Sequence, residues 1–515
     1  MKNVFSLIVC FTLILVASTS ANANVKLAPA FGDHMVLQRG MNVSVWGQAA
    51  AGEQVTVVFR KQSKSTKADA NGRWRVELDA LKVGGPDELK ITASKTIVLK
   101  DVLVGEVWVG SGQSNMAGNV GGYAKRDTNL NKLLESAPYE HIRLKKNPGA
   151  WSPATDKSVA GHSALLFAFG HRLHKELNVP VGLIVGAVGG TPSGMWTPRT
   201  YFENDESCKK VIAGFAAKRD MKAEKARYER SLIKWEKTVE AFRKQGKKKL
   251  PRKPQRPKAP GESSRGGKIG GLYERYIQPV AGFAVRGVLW DQGESGTGIV
   301  GLDQYTMMGS LINGWRKDWN KDLPFIYIQK PSGGGCAWDS SNPITANAEK
   351  LANLPASAND GAYRELHIRI QDYPKTWMSC ATDLGSGVHP TNKWGYGQRA
   401  ARVALGAVYG KEVAVSGPTY ESHKVEGRTI RVKFKHVGKG LAFKHGNALQ
   451  GFAIAGEDKK FHWAQAKIEG NAVVVSSDQV KKPIAVRYAW SRKSAWANLF
   501  NKDGLPALTF RTDSW

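Results

Sequence analysis

Cysteine is scarce in this chain of 515 residues, which contains four, and none of them forms a Cys-x-x-Cys pair. Without paired cysteines or histidines clustered at metal-ligand spacing, the sequence does not predict a zinc site. If Cys10 is removed with a leader, the odd number that remains leaves at least one thiol without an intramolecular partner. Among Cys208, Cys336 and Cys380 we favour a disulfide between the last two.

Long apolar runs are also missing beyond the first residues. The chain opens with a positive start, an apolar run at residues 5–16 and a small-residue cleavage motif at residues 21–23, which together are typical of a secretory signal peptide. The run is shorter than the ~20 residues that span a bilayer. We therefore expect residues 1–23 to be cleaved, the protein to be secreted or periplasmic, and no transmembrane segment to follow.

Acidic residues are few: 44 Asp and Glu stand against 75 Lys and Arg, for a formal net charge of +31. So basic a chain suggests nucleic acid, but no aromatic-interleaved basic face or nucleic-acid motif is present, which argues against that partner. Much of the excess lies in residues 209–258, with nineteen basic and five acidic residues. An anionic polysaccharide or cell surface is one partner for this segment, and a solvated insertion without a partner is the alternative.

The hydrophobic pattern changes twice along the chain. Residues 24–103 alternate apolar and polar positions in short runs between turns, which predicts a β-sandwich. Residues 104–410 alternate apolar strands with helical stretches, which predicts an α/β domain with a parallel sheet. Within it, residues 205–265 form a basic helical and loop insertion. Residues 411–515 return to the strand pattern and predict a second all-β domain.

Ser114 is the first candidate catalytic residue. It lies in the run Gly-Gln-Ser-Asn-Met at residues 112–116, directly after an apolar strand. Open α/β sheets build their sites at the carboxyl ends of strands, and a serine nucleophile needs a base beside it. A tight turn with a capping serine explains the same residues without a function. The run also differs from the G-x-S-x-G motif of α/β-hydrolases.

Three further loops carry candidate residues. Gly189 and Gly190 follow a strand and could direct a backbone N–H toward an oxyanion, or form a structural turn. Gln292 follows another strand and could donate its amide to the same oxyanion, or lie in a surface loop. His389 comes late in the α/β segment, and a lone histidine is more often structural. Three strand-end loops followed by a late histidine nevertheless converge on one edge of a parallel sheet.

Taken in order along the chain, the sequence blocks around these candidate residues resemble the sialate O-acetylesterase family, a branch of the SGNH-type serine hydrolases. The resemblance covers nearly the whole chain after the leader and implies an SGNH-hydrolase-like three-layer α/β/α sandwich with a parallel sheet, flanked by N- and C-terminal all-β domains. It also implies removal of acetyl groups from carbohydrate. The blocks include Phe31-Gly-Asp-His-Met, Val104-Gly-Glu-Val-Trp-Val-Gly-Ser-Gly-Gln-Ser-Asn-Met, Gly189-Gly-Thr-Pro, Arg286-Gly-Val-Leu-Trp-Asp-Gln-Gly-Glu-Ser and His389-Pro-Thr-Asn-Lys.

The resemblance implies a role for each matching residue. Ser114 matches the nucleophile, and its own N–H is one oxyanion donor. Gly190, or Gly189, matches the second donor, and Gln292 matches the side-chain donor. His389 matches the general base. The implied chemistry requires no metal and no organic cofactor.

Two positions depart from the family pattern. The family places an aspartate two residues before the histidine, where this chain has Gly387, so the third member of the triad is open. Asp383 is our first choice, with Asp291 and Glu294 on another loop as rivals. A dyad whose histidine is oriented by a backbone carbonyl is also viable. The second departure, Gly296 in place of asparagine, is expected to alter the substrate pocket more than the chemistry.

Three functional hypotheses follow from the sequence. The first is a carbohydrate O-acetylesterase that uses a serine nucleophile. The second keeps this chemistry but changes the substrate to acetylxylan or another polysaccharide, including an anionic one. The third is a non-catalytic carbohydrate-binding protein, in which Gly387 would mark a decayed triad.

Overall fold

Residues 24–329, 350–351, 353–385 and 387–515 are described by the structure, a computed structural model. The predicted signal peptide at residues 1–23 lies outside these ranges. No helix within the ranges is long and apolar enough to cross a membrane.

Two of the three cysteines considered for the predicted disulfide lie within the described residues. Cys208 and Cys380 are free and buried, and Cys336, the favoured partner of Cys380, lies outside the described residues. Burial raises the pKa of the Cys208 thiol to about 12 and also raises the pKa of the Cys380 thiol. Because the thiolate is the reactive form of cysteine, neither thiol is an activated nucleophile.

Strands β1 to β8 follow the alternating runs of the first hundred residues. Burial alternates along β4 and β6 because every second side chain of a strand points to the core. Strand β3 pairs antiparallel with β1 and β6, while β4 pairs antiparallel with β5 and β7. The bounds are β1 Lys26–Leu27, β2 Val36–Gln38, β3 Val43–Gln48, β4 Gln54–Phe59, β5 Gln62–Lys67, β6 Arg73–Leu78, β7 Gly84–Thr92 and β8 Thr96–Gly112.

Strand β8 passes from this region into a second sheet. Its first part pairs antiparallel with β7, from Thr96 to Val104. Its second part pairs in parallel with β11 on one side, from Glu106 to Gly112, and with β12 on the other. A single continuous strand therefore leads from the N-terminal strands to the residue before Gln113.

The second sheet has the strand order β10-β9-β11-β8-β12-β13-β14. Each neighbouring pair from β9 to β14 is parallel, whereas β10 lies antiparallel at one edge. Successive side chains alternate between two cores, as Leu183 and Ile184 do, so both faces of the sheet are covered. The bounds are β9 Tyr139–Lys146, β10 Trp151–Ala154, β11 Val181–Ala187, β12 Gly287–Asp291, β13 Phe325–Ile328 and β14 Thr376–Ser379.

Helices connect the parallel strands. Helices α5 and α12 share the core that contains Leu183 and Leu289, and α10 brings Trp315 into the core on the other face. The bounds are α1 Ser114–Ala117, α2 Val120–Ala124, α3 Thr128–Glu135, α4 Asp156–Gly161, α5 Ala164–Leu177, α6 Arg199–Asn204, α7 Glu206–Ala216, α8 Met221–Lys244, α9 Gly271–Tyr276, α10 Gln304–Trp319, α11 Ala362–Arg369 and α12 Lys393–Ala407, with 3-10 turns at Ser193–Trp196, Gln278–Val280 and Ile370–Asp372.

The last hundred residues are built of antiparallel strands in the orders β15-β16-β21-β20, β19-β18-β22-β24 and β17-β23. Together with the parallel sheet and its helices they confirm the predicted mixed α/β fold. The bounds are β15 Thr419–Glu426, β16 Thr429–Lys435, β17 Leu441–Phe443, β18 Phe452–Ala455, β19 Phe461–Trp463, β20 Gln465–Glu469, β21 Ala472–Ser476, β22 Ala485–Tyr488, β23 Leu499–Asn501 and β24 Phe510–Arg511.

Candidate active site

Ser114 and His389 meet at the carboxyl edge of the parallel sheet. Ser114 is the first residue of α1, directly after β8, and His389 precedes α12. Oγ of Ser114 lies 2.8 Å from Nε2 of His389, although 275 residues separate them in sequence. This is hydrogen-bonding distance for a base that accepts the proton of a serine nucleophile.

The turn before Ser114 requires a glycine. Gly112 has φ +132°, and a Cβ there would lie 2.0 Å from the backbone oxygen of Asp291. The next residue, Gln113, donates its N–H to that same oxygen at 2.9 Å. The ends of β8 and β12 are thereby held side by side, which brings the nucleophile next to the loop that carries Gln292.

Asn115 joins the nucleophile to the histidine loop. This fully buried side chain donates from Nδ2 to the carbonyl of Val388 at 3.1 Å, one residue before His389. The same Nδ2 lies 3.2 Å from Oε1 of Glu294. Neither Asn115 nor its partners carry a sequence pattern that predicts this role, although Asn115 directly follows Ser114 in the block that resembles the family.

Lys393 holds the other side of the histidine loop. Its buried Nζ donates to Oδ1 of Asn115 at 2.7 Å and to the carbonyl of Pro390 at 2.5 Å. The ammonium also lies within 5.0 Å of the ring centroids of Tyr123 and Tyr396, which adds cation–π attraction to these hydrogen bonds. Contacts on both sides of His389 therefore fix the backbone that carries the base.

We expect Asn115→Ala to lower kcat for acetyl esters by about 100-fold, because small displacements of a base from its nucleophile can cost that much. Steady-state hydrolysis of 4-nitrophenyl acetate measures the effect, with circular dichroism to confirm that the variant is folded. A folded variant that keeps kcat within threefold of the wild-type value would contradict this role.

Asp383, our first choice for the triad acid, lies elsewhere. Its buried carboxylate forms a bidentate ion pair with Arg399 of α12, in which Nη2 donates to Oδ2 at 2.8 Å. Arg399 also donates to the carbonyl of Cys380 at 2.9 Å. Both carboxylate oxygens thus face the helix, and the structure does not bring Asp383 to His389.

Asp383→Asn is expected to destabilise the fold by ~3–5 kcal/mol, because it leaves the Arg399 guanidinium buried without its counter-charge. The kcat of the folded variant should stay within threefold of wild type. Chemical denaturation and ester hydrolysis measure the two effects separately. A loss of 1000-fold or more in kcat at unchanged stability would instead make Asp383 the acid of the triad.

The two rival acids lie at the end of β12 and on the loop that follows it. Asp291 is buried at the end of that strand. Glu294 accepts hydrogen bonds from the side chains of Gln113 and Asn115. Within the described part of the chain, no carboxylate is hydrogen-bonded to His389, whose one hydrogen bond there joins Nε2 to Ser114. The described geometry is that of a serine–histidine dyad.

Backbone donors for an oxyanion lie around Ser114. The N–H of Ser114, at the start of α1, has no intrahelical partner, as expected for a first helical residue. Gly189 lies against the nucleophile, since a Cβ there would be 3.5 Å from Cβ of Ser114. Gly190 adopts φ +73° and accepts a hydrogen bond from Nη1 of Arg265 at 3.3 Å. The two glycines remain alternative second donors.

Gln292 is held by a buried network. Its Oε1 accepts from Oγ of Ser193 at 2.5 Å, and Nε2 of Gln304 donates to that hydroxyl at 2.9 Å. Its Nε2 donates to the carbonyl of Gly296 at 2.9 Å. These contacts fix the orientation of the amide and use one of its two N–H groups. Ser193 and Gln304 were not singled out from the sequence, because no local pattern marks them.

A cleft of about 370 Å³ adjoins the histidine loop. Arg364 of α11 shapes one of its walls by donating to the carbonyl of Ala489 at 3.0 Å and to Oγ of Ser494 at 2.7 Å. These bonds hold the loop that bears two exposed cations. The cleft is lined by Gly293, Glu294, Gly296, Tyr363, Gly387, Val388, Arg492 and Lys493.

Metal-ligating side chains are not grouped in the part of the chain that the structure describes. No set of three or more His, Cys, Asp and Glu residues there could hold a metal ion. The functional groups that converge at the sheet edge are a hydroxyl, an imidazole, backbone N–H groups and an amide. Such a set is suited to acyl transfer through a tetrahedral intermediate.

Comparisons with known proteins agree with this chemistry. Residues 104–224 match the family model described as carbohydrate esterase, sialic acid-specific acetylesterase. The sialate O-acetylesterase of Homo sapiens is 25% identical over 535 residues, covering 93% of this chain and 90% of that protein. That of Rattus norvegicus is 27% identical over 463 residues, covering 79% and 78%.

A solved structure of a carbohydrate acetylesterase is also similar to this chain. The crystal structure of a carbohydrate acetylesterase from Xanthomonas citri superposes with a TM-score of 0.74 at 27% identity, covering 96% of this chain and all of that one. The resemblance seen in the sequence blocks is thus confirmed by family model, relatives and fold. The chain is similar to the sialate O-acetylesterases in sequence and to a carbohydrate acetylesterase in fold, and it is a carbohydrate O-acetylesterase.

Proposed function

We propose that this esterase works through a covalent acetyl-Ser114 intermediate, with His389 as general base and no carboxylate partner. The observation that carries the proposal is the 2.8 Å contact between Ser114 Oγ and His389 Nε2 at the end of a parallel strand. It also argues against a non-catalytic binding protein, since binding alone does not require the two groups to be paired.

The first half of the reaction transfers the acetyl group. Ser114 Oγ attacks the carbonyl carbon of the ester while its proton passes to Nε2 of His389. The oxyanion accepts hydrogen bonds from the N–H of Ser114, from Gly190 or Gly189, and from Nε2 of Gln292. When the intermediate collapses, the bond to the sugar oxygen breaks, and that oxygen takes the proton from His389.

The second half releases acetate. Water attacks the carbonyl carbon of acetyl-Ser114 and gives its proton to Nε2 of His389. The oxyanion is held by the same donors, and collapse breaks the bond to Ser114 Oγ, which recovers the proton. In place of an aspartate, the contacts from Asn115 to Val388 and from Lys393 to Pro390 hold the histidine loop in position.

The substrate is proposed to be an acetylated carbohydrate whose acetyl group enters from the cleft beside Val388. Arg492 and Lys493 place positive charge at this cleft, which suits a sialate or another anionic glycan. Acetylxylan, which is neutral, is the alternative, and the aromatic ring of Tyr363 in the same cleft favours sugar rings of either kind.

The remaining expectations from the sequence are part of the same proposal. We propose that residues 104–410 form the three-layer SGNH-type catalytic domain, with flanking β domains at residues 24–103 and 411–515. Removal of residues 1–23 as a signal peptide would place the enzyme outside the cytoplasm, where acetylated glycans are exposed.

Two measurements test the proposal. A fluorophosphonate probe should label the protein at a single serine, which peptide mass spectrometry should identify as Ser114. Acetate release should be detectable from O-acetylated sialic acid, acetylxylan or acetylated pectin, and the relative rates then identify the substrate. Labelling at a different serine, or turnover that persists after complete labelling of Ser114, would refute the mechanism.

A further inference from the structure

The segment at residues 247–258, called here the basic strap, carries seven basic residues and no acidic ones. It follows α8 and contains no helix or strand. Its prolines recur every third residue, at Pro251, Pro254 and Pro257. A period of three matches the polyproline II conformation, which has three residues per turn and is extended without internal hydrogen bonds.

Burial along the strap has the same period. The three prolines are half-buried, whereas the pairs between them, such as Arg252 and Lys253, are exposed. Pro251 is fixed to α8, because its carbonyl accepts a hydrogen bond from Nε1 of Trp235 at 2.9 Å. The proline face thus packs on the protein and the basic side chains project outward in a repeating row.

The cations of the strap are mostly unpaired. Arg256 forms an ion pair with Glu262, and in the described ranges the other six cations have no carboxylate within ion-pair distance. One of these six, Lys258, donates from Nζ to the carbonyl of Ser263, which leaves five with neither kind of contact. Seven like charges in twelve residues repel one another, so binding of a polyanion would relieve this repulsion. The five are Lys247, Lys248, Lys249, Arg252 and Lys253.

The strap leads to the active site. Directly after it, Gly261 N donates to the carbonyl of Val300 at 2.8 Å, and Ser264 N donates to the carbonyl of Gly298 at 2.7 Å. Arg265 then donates from Nη1 to the carbonyl of Gly190 at 3.3 Å. The basic row is therefore continuous with the loop that carries a proposed oxyanion donor.

We propose that the basic strap binds an acidic polysaccharide in extended form and guides its acetylated units to Ser114. The substrate class rests on the proposed function, whereas the binding itself does not require turnover. Among polyanions, a nucleic acid is disfavoured because single strands need exposed aromatic rings for stacking. Two rings contact cations of the strap, and both are half-buried. Trp235 has its N–H bonded to Pro251 and the ammonium of Lys253 5.6 Å from its ring centroid. Phe242 has the ammonium of Lys247 4.3 Å from its ring centroid.

The test uses the full chain with Ser114→Ala, so that failure of the catalytic proposal cannot affect binding. Its affinity for polygalacturonate is measured by calorimetry at several salt concentrations. In a strap variant, the five unpaired cations are changed to glutamine. In a matched control, five exposed lysines from the last hundred residues are changed instead, namely Lys424, Lys433, Lys435, Lys481 and Lys482.

We expect the strap variant to bind polygalacturonate at least tenfold more weakly, with a shallower salt dependence, because fewer counterions are exchanged. The control variant should bind within twofold of the parent. With Ser114 restored, the strap variant should show a tenfold higher KM for acetylated pectin. Its turnover of 4-nitrophenyl acetate should be unchanged.

Three results would overturn the proposal. The first is no binding of polygalacturonate by the parent, and the second is an equal loss of affinity in the strap and control variants. The third is equal or tighter binding of single-stranded DNA or of phosphatidylserine vesicles, which would assign the strap to another partner. Neutral dextran of similar length should bind none of the variants.

Discussion

Ser114→Ala is expected to lower the turnover of acetyl esters by about 10⁴-fold or more, because the variant has no nucleophile to form the acyl-enzyme. The residual rate would come from water attack on an ester still held by the oxyanion donors. Release of 4-nitrophenolate and of acetate from an acetylated sugar measures the loss. The fold should be preserved, since the substitution removes one half-buried hydroxyl.

His389→Ala and the double variant serve as controls for this result. Groups that act as a unit give non-additive losses, so the double variant should be about as impaired as either single variant. Losses that multiply would mean that the two residues act independently. A Ser114→Ala enzyme within tenfold of wild type would exclude an acyl-enzyme formed on Ser114.

Gln292→Ala is expected to lower kcat by about 100-fold or more with little change in KM, because the amide binds the oxyanion more strongly than the ground-state carbonyl. The network around Gln292 fixes the direction of this donor before substrate arrives: Ser193 Oγ lies 2.5 Å from Oε1 and Gly296 O lies 2.9 Å from Nε2. Steady-state kinetics on 4-nitrophenyl acetate separate kcat from KM.

Ser193→Ala is the matched control for that prediction. It keeps the amide of Gln292 but removes the hydroxyl that orients it, so we expect an intermediate loss of about tenfold in kcat. Activity of Gln292→Ala within threefold of wild type would remove Gln292 from the oxyanion hole. If Ser193→Ala lowers kcat as much as Gln292→Ala does, the amide of Gln292 is effective only when the hydroxyl of Ser193 orients it.

The serine and the histidine were predictable because the geometry of parallel sheets is regular. Loops that follow parallel strands meet at one edge, so motifs far apart in sequence predict a shared site. Ser114 and His389 meet there as expected. The resemblance to a family added their roles, which spacing alone would not have provided.

The supporting residues could not be predicted, since each acts through one long-range side-chain contact that leaves no periodic pattern. Asn115 and Lys393 lie 278 residues apart yet share a hydrogen bond. Asp383 was chosen because it is near His389 in sequence, but α12 places Arg399 beside its carboxylate. Proximity along the chain was therefore a poor guide to proximity in space.

The predicted domain boundary at residue 104 has a physical explanation as well. Composition changes there because the side chains of β8 pass from alternating burial to complete burial. The backbone, however, continues through the change as one strand, Thr96–Gly112. The change in side-chain environment that predicts the boundary therefore falls within one continuous strand.

This shared strand limits how far the enzyme is modular. A fragment that starts at residue 104 would lose the half of β8 that pairs with β7. The truncated strand would then begin only ten residues before the nucleophile. Recombination between relatives would meet the same difficulty if the crossover fell inside β8. Grafting the catalytic segment onto another protein therefore calls for a cut before residue 24, with the N-terminal strands carried along as part of the transferred unit.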